Sequence, residues 1–233
     1  VAPVPVDRLV GFAEQLIADR KWESGIQLLM KIVRTNPHAV DHRRRLANAM
    51  VDHGLGRPAA EEFKTLSILY QRQGDRGESL NALERAVQLR SDDVETWTRL
   101  VALKIEMGRT GGAVESALAG GAPLFEAGKH DLVQRLLEPV EPHAGREWRV
   151  YMLLGKVYAY KGNRNSATAS FAKVLDNLPP DPEQELSICR EILHYFPEMP
   201  EAQSHLARLE KKYGASPKDT LARRRTIRWV AAA

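Results

Sequence analysis

Apolar residues recur at three- and four-residue intervals along most of the chain, as in Leu9, Phe12, Ala13 and Leu16 and again in Leu83, Ala86 and Val87. That period draws one buried stripe down an α-helix, whereas the strict alternation of a half-buried strand is scarce. The helices are predicted to be short, because Gly, Pro, Asn or Asp interrupts the pattern at RTNPHAVD, HGLGRP, QGDRG, LRSDDV, MGRTGG, AGKHD, EPHAG, KGNRN, NLPPDP, FPEMP and YGASP. About thirteen helices fit this punctuation. Every second helix is predicted to begin near Val6, Ala39, Arg76, Gly112, Trp148 and Pro182, at intervals of 33, 37, 36, 36 and 34 residues. A short amphipathic hairpin cannot bury its apolar face alone, so near-constant spacing of this length predicts a stack of hairpins sharing one core.

One segment carries more than a period. In YMLLGKVYAYKGNRNSATASFAKVLDNLP, Tyr151, Leu154, Gly155 and Tyr158 are followed by Ala167, Phe171 and Pro179. These residues resemble the tetratricopeptide repeat pattern, W-x2-L-G-x2-Y, then A-x3-F, then P. Leu9, Phe12, Ala13, Leu16, Trp22, Gly25, Leu29 and Pro37 follow it loosely; Phe63, Leu66, Ser67, Tyr70, Ser79, Leu83 and Ala86 follow it in part, and Trp97 with Leu100 begins another match. The resemblance implies an all-α fold, a right-handed α-solenoid of about six antiparallel hairpins. Its small residues belong where two helices cross closely and its large ones fill the space beside them, so the motif itself is a packing code.

Two features disturb the regularity. Equivalent motif positions such as Leu9 and Phe63, or Arg43, Trp97 and Tyr151, are 54 residues apart, one and a half hairpins. Phe63 to Tyr70 therefore reads as a first helix by its own motif and as a second helix by counting from the N-terminus. In LAGGAPLF, Gly120, Gly121 and Pro123 fall where a helix should run. The expectation there is a helix starting only at Pro123, with a flex point at 120–123 as the alternative, since glycine costs about 1 kcal/mol and proline ~3 in a helix interior.

Composition changes this picture mainly at the end of the chain. The 43% hydrophobic and 27% charged residues are ordinary for a folded protein. No apolar run approaches the ~20 residues that span a bilayer. The single cysteine, Cys189, suits a reducing compartment, so a cytoplasmic location is expected. From Ser204 onward eight basic residues face two acidic ones, although the whole chain carries only +4. The expected organisation is an extension at 1–5, a solenoid over 6–213, and a basic capping helix and tail over 214–233. In that last segment Arg223, Arg224, Arg225 and Arg228 form a basic patch opposite Leu221, Ile227 and Trp229.

Catalytic chemistry finds no foothold. His38 and His42 share a helical face with Asp41 nearby, but no HExxH glutamate or third ligand accompanies them, so no metal is expected. Cys189 in LSICREIL lies on an apolar stripe and reads as structural. GRTGGA lacks the lysine of a phosphate loop, and no nucleophile, base and orienter can be grouped by spacing. The expected protein is neither an enzyme nor dependent on a cofactor.

The resemblance instead implies a groove lined by first helices. Its contact positions fall on Asp7, Val10, Gly11, Glu14 and Ile17; on Asp41, Arg44, Arg45, Asn48 and Val51; and on Arg149, Met152, Leu153, Lys156 and Ala159. Arg44, Arg45, Asn48, Arg149 and Lys156 are the expected partner contacts, with Arg43 extending a basic patch. Arg44 and Asn48 match the Lys and Asn with which chaperone-binding members grip a C-terminal carboxylate. That grip is incomplete, because an asparagine is needed where Thr65 stands and a basic residue where Glu95 stands, while Arg99 suits the remaining place. The expected function is a non-catalytic scaffold that binds a partner protein or peptide, with a structural subunit of a larger assembly as the alternative. Binding of nucleic acid or an anionic surface by the C-terminal arginines is a further alternative, disfavoured because residues 1–203 carry a net −2.

Overall fold

The computed structural model describes residues 5 to 213, which divide into two compact units between His143 and Ala144. The first unit contains α1 (Val6–Ala18), α2 (Trp22–Thr35), α3 (Val40–Asp52), α4 (Gly56–Arg72), α5 (Arg76–Leu89), α6 (Val94–Glu106), α7 (Thr110–Glu126), α8 (His130–Leu137) and a 3₁₀ helix, Glu138–His143. The second contains α9 (Trp148–Tyr160), α10 (Arg164–Asp176), α11 (Pro182–Tyr195) and α12 (Pro200–Tyr213). The described residues thus form twelve α-helices and no strand; the expected helix within 214–233 lies outside them.

The punctuation read from the sequence has a direct backbone cause. At the end of α9 the amide of Asn163 donates to Tyr158 O at 2.9 Å, five residues back around the turn, while Gly162 takes φ 71°. Glycine suits that left-handed position because it has no Cβ to meet the preceding carbonyl. At the end of α1 the same 6→1 bond runs from Lys21 N to Leu16 O at 2.8 Å, but the left-handed residue is Arg20, at φ 63°. Side-chain caps start the following helices: Asp75 accepts from Glu78 N at 3.0 Å, Asp93 from Thr96 N at 3.3 Å and Asn163 from Ser166 N at 3.2 Å. Each satisfies one of the donors that a helix start leaves over.

In the first unit consecutive helices from α1 to α8 pack on one another. Leu29, Leu46, Leu66, Leu83 and Leu100 are fully buried along this stack. In the second unit α9 packs on α10 and on α11, and α11 on α12, around Leu154, Phe171 and Ile192. Close crossings occur where the motif places small residues. A Cβ on Gly25 would lie 2.8 Å from Ala13 O, and one on Gly155 would lie 2.5 Å from the Phe171 ring.

The reading of 120–123 is corrected. α7 runs without interruption from Thr110 to Glu126, through Gly120, Gly121 and Pro123. A Cβ on Gly120 would sit 2.7 Å from Cγ of Trp97 and 3.0 Å from Leu136, so the glycine makes room for an indole from α6. That packing offsets its helical cost. Pro123 is exposed near the C-terminal end of α7, and the helix runs on past it despite the missing N–H.

α4 packs against both α3 and α5, as each inner helix of the stack packs on its two neighbours. Ion pairs fix it there. The Arg43 guanidinium of α3 pairs with Glu62 of α4 and donates to Pro37 O at 3.1 Å. Lys64 of α4 reaches Asp93, the cap of α6, at 2.8 Å.

Candidate functional site

A pocket of about 290 Å³ opens among α3, α4 and α5, wholly within the first unit. Its floor is α4, which presents Phe63, Leu66 and Tyr70, all buried. These residues recur at three and four, so one face of α4 supplies an unbroken apolar strip. Arg44 and Asn48 of α3 form one wall, one helical turn apart and both exposed. Glu78, Asn81, Ala82 and Arg85 of α5 form the other. The result is an apolar base with a polar rim, the usual composition of a small ligand site.

Charge is unevenly placed in this pocket. At the Tyr70 end Arg44 donates to Asp41 at 2.8 Å, and Glu78 follows the cap residue Asp75. Burial pushes the Tyr70 hydroxyl above its ordinary pKa; Arg44 opposes this, and Glu78, Asp41 and Asp75 reinforce it. At the opposite end the Arg85 guanidinium lies 5.8 Å from the Phe63 ring centre, within reach of a cation–π interaction, and makes no ion pair among the described residues. Between the two ends Asn48 and Asn81 carry carboxamides, each able to donate and accept. Asn81 makes one long hydrogen bond to Glu78, 3.4 Å, and Asn48 makes none among the described residues.

Not all of the expected contacts gather here. Arg44 and Asn48 do; Arg45 instead pairs with Glu14 of α1. Arg43 does not extend a basic patch, because its side chain is 11% exposed and spent on Glu62 and Pro37. Thr65 donates to Glu61 O at 3.0 Å and is no part of the rim. The asparagine that the sequence reading sought at Thr65 stands on α5 as Asn81, the sixth residue of its helix as Arg45 is of α3. Glu78 and Arg85 were also missed. The available signal was the 36-residue step from Val40 to Arg76, which aligns α5 with α3.

Residues 149–177 match the tetratricopeptide repeat family. The match spans the α9–α10 hairpin, in which Tyr151, Leu154, Gly155, Ala167 and Phe171 are all buried as the packing code requires. That hairpin is similar to a tetratricopeptide repeat. Among solved structures, PilW, described as a widely conserved type IV pilus biogenesis factor, is 12% identical over 95% of this chain and 99% of its own, with a TM-score of 0.36. The TPR2AB domain of yeast Sti1 in complex with pHSP90 is 12% identical over 89% and 92%, with a TM-score of 0.34. A tetratricopeptide repeat protein from Parabacteroides merdae is 15% identical over 94% and 96%, with a TM-score of 0.33. No curated protein matches the chain.

The expected contacts Arg149 and Lys156 lie in the second unit, where they pair with its own acids. Arg149 binds Glu147 through Nε at 2.7 Å and Nη2 at 2.8 Å, and this pairing, against the opposing effect of burial, holds Glu147 below the usual carboxylate range. Lys156 of α9 pairs with Glu191 of α11, its ammonium 5.3 Å from the centre of the Tyr195 ring. Cys189 is buried, and its thiol is pushed up to about 11, first by burial and then by Glu185. A thiol held protonated is a poor nucleophile. Among the described residues no group of three His, Cys, Asp or Glu side chains could hold a metal, and no helix is long and apolar enough to cross a membrane. Arg223, Arg224, Arg225 and Arg228 lie outside the described residues.

Proposed function

We propose that this repeat protein is a non-catalytic interaction module that holds a short segment of a partner protein in the α3–α4–α5 pocket. The observation that carries the proposal is the pairing of a buried apolar floor, Phe63, Leu66 and Tyr70, with an exposed rim of amides and charges. A volume of about 290 Å³ suits one or two side chains rather than a whole cofactor. An apolar side chain of the partner would cover Leu66 while Asn48 and Asn81 bond to its backbone. Because α4 is fixed on both sides, the receptor spends little ordering entropy on binding. A C-terminal carboxylate is the less favoured occupant, since Arg44 is already matched by Asp41.

Selection from a random peptide library separates this reading from its rivals. The wild type is expected to enrich a family of sequences that the Asn48→Ala/Asn81→Ala variant does not, with circular dichroism of the two proteins unchanged. Enrichment of the same sequences by both would remove the pocket as the binding site.

A further inference from the structure

The pocket's two ends differ in charge, and that difference specifies a ligand more closely than the apolar floor does. Three carboxylates, Asp41, Asp75 and Glu78, gather at the Tyr70 end against one guanidinium, Arg44, which Asp41 already binds at 2.8 Å. Asp75 is partly committed too, since it caps α5. Among the described residues the Glu78 carboxylate retains only the 3.4 Å hydrogen bond from Asn81. Beside it stands the buried ring of Tyr70, a face that attracts cations. At the Phe63 end the balance reverses. Glu62, the nearest acid in sequence on α4, is taken by Arg43, and Arg85 makes no ion pair among the described residues.

Glu78 and Arg85 are seven residues apart on one helix and so roughly 10 Å apart along its axis. A chain in the polyproline II conformation advances about 3.1 Å per residue with three residues per turn, so side chains three apart share one face and cover that distance. Resting on the reading of this pocket as a peptide site, we infer that its partner segment carries a basic and an acidic side chain three residues apart, the basic one beside Tyr70 and Glu78 and the acidic one on Arg85. The two intervening residues lie over Leu66, where one apolar side chain fills the floor and Asn48 and Asn81 meet the backbone. The charges at the ends do not set which way the chain runs. They set that the two ligand charges are opposite.

The test uses five blocked eight-residue peptides, identical except at two positions three apart, with leucines between them. Those positions hold Lys and Glu, Glu and Lys, Lys and Lys, Glu and Glu, or Ala and Ala. Binding to the full chain is read by fluorescence anisotropy at low salt. The better of the two opposite-charge peptides is expected to bind roughly tenfold more tightly than either like-charged one, the size appropriate to two exposed charge contacts. In about 1 M salt, where the screening length falls to roughly 3 Å, the gap is expected to close. Arg85→Glu is expected to move the preference to the Lys and Lys peptide, and Glu78→Arg to the Glu and Glu peptide. Equal binding of all five would overturn the charge assignment and leave the peptide site standing. Binding of none would overturn both. A rank order unmoved by either substitution would place the charge reading elsewhere on the protein and overturn it here.

Discussion

The hairpin α9–α10 and the three-helix stretch α3–α4–α5 obey the same packing rules to different ends. In α9–α10 the motif is nearly complete and its residues are spent on closure: Leu154, Ala167 and Phe171 are fully buried, and the Phe171 ring occupies the space that a Cβ on Gly155 would need. In α3–α4–α5 the motif is loose, and buried floor residues meet an exposed polar rim. The family match therefore marks scaffold, and the candidate site lies in the other unit. A residue conforming to the repeat pattern is a poor guide to binding, because the pattern records what helices need from each other.

The largest expected effect breaks the closed side of this comparison. Phe171→Ala empties a site with 0% exposure and is expected to cost about 4 kcal/mol in urea denaturation. Gly155→Val overfills the same contact and is expected to cost about 3 kcal/mol. If Gly155→Val were neutral, the close crossing of α9 and α10 would not be what the glycine is for.

A second test addresses how α4 is held. Asp93 caps α6 and receives Lys64; burial works to raise its pKa, but bonds from Lys64 and Thr96 outweigh this and hold it below the ordinary carboxylate range. Its contribution to stability is thus fully present at neutral pH and is lost as pH falls through the depressed folded-state value. Lys64 is shifted upward, chiefly by its bond to Asp93 against the opposing effect of burial, so its share persists into alkaline solution and is lost only as pH rises through the raised value. Asp93→Ala removes cap and partner together and is expected to cost about 2 kcal/mol at pH 7. Once pH has fallen below the depressed folded-state value, the carboxylate is protonated in both states and the difference should shrink. A constant difference across the acid range would mean that the ion pair contributes nothing.

Much of this architecture was legible because the relevant forces are local. The predicted starts at Val6, Arg76, Trp148 and Pro182 are the observed ones, and those at Ala39 and Gly112 fall one and two residues from the observed Val40 and Thr110. Turn glycines and capping acids act within a few residues, so sequence alone displays them. Gly120 misled for the opposite reason. It is in the helix because Trp97, 23 positions earlier, needs the space, and no local rule contains that fact. The site was half legible on the same grounds. Arg44 and Asn48 followed from position on α3, whereas Arg43 could be set aside only once Glu62 of the neighbouring helix was seen to hold it. Asn81 was hidden by the motif of α4, which directed attention to Thr65.

The turn between α1 and α2 offers a smaller and opposite effect. Gly162 fills the left-handed position after α9, whereas Arg20 fills it after α1. A side chain at positive φ costs roughly 1 kcal/mol, part of which glycine returns through the freer unfolded chain. Arg20→Gly is accordingly expected to stabilise the protein by about 0.5 kcal/mol, read as a shift of the denaturation midpoint. Destabilisation would show that the Arg20 side chain contributes a contact beyond its backbone role.

The smallest expected effect on stability is the sharpest for function. Asn48 and Asn81 are exposed and among the described residues make between them only the 3.4 Å hydrogen bond to Glu78, so Asn48→Ala/Asn81→Ala should change stability by less than about 0.5 kcal/mol. Arg45→Ala, which gives up an exposed pair with Glu14, should change it as little. The two variants are expected to part only in binding: the asparagine pair loses the peptides that the wild type selects, and the Arg45 variant keeps them. A repeat that used a general basic face would show the reverse order, since Arg45 carries charge and the asparagines carry none. Measured side by side, equal stability with unequal binding separates the residues that build the hairpins from those the hairpins leave available.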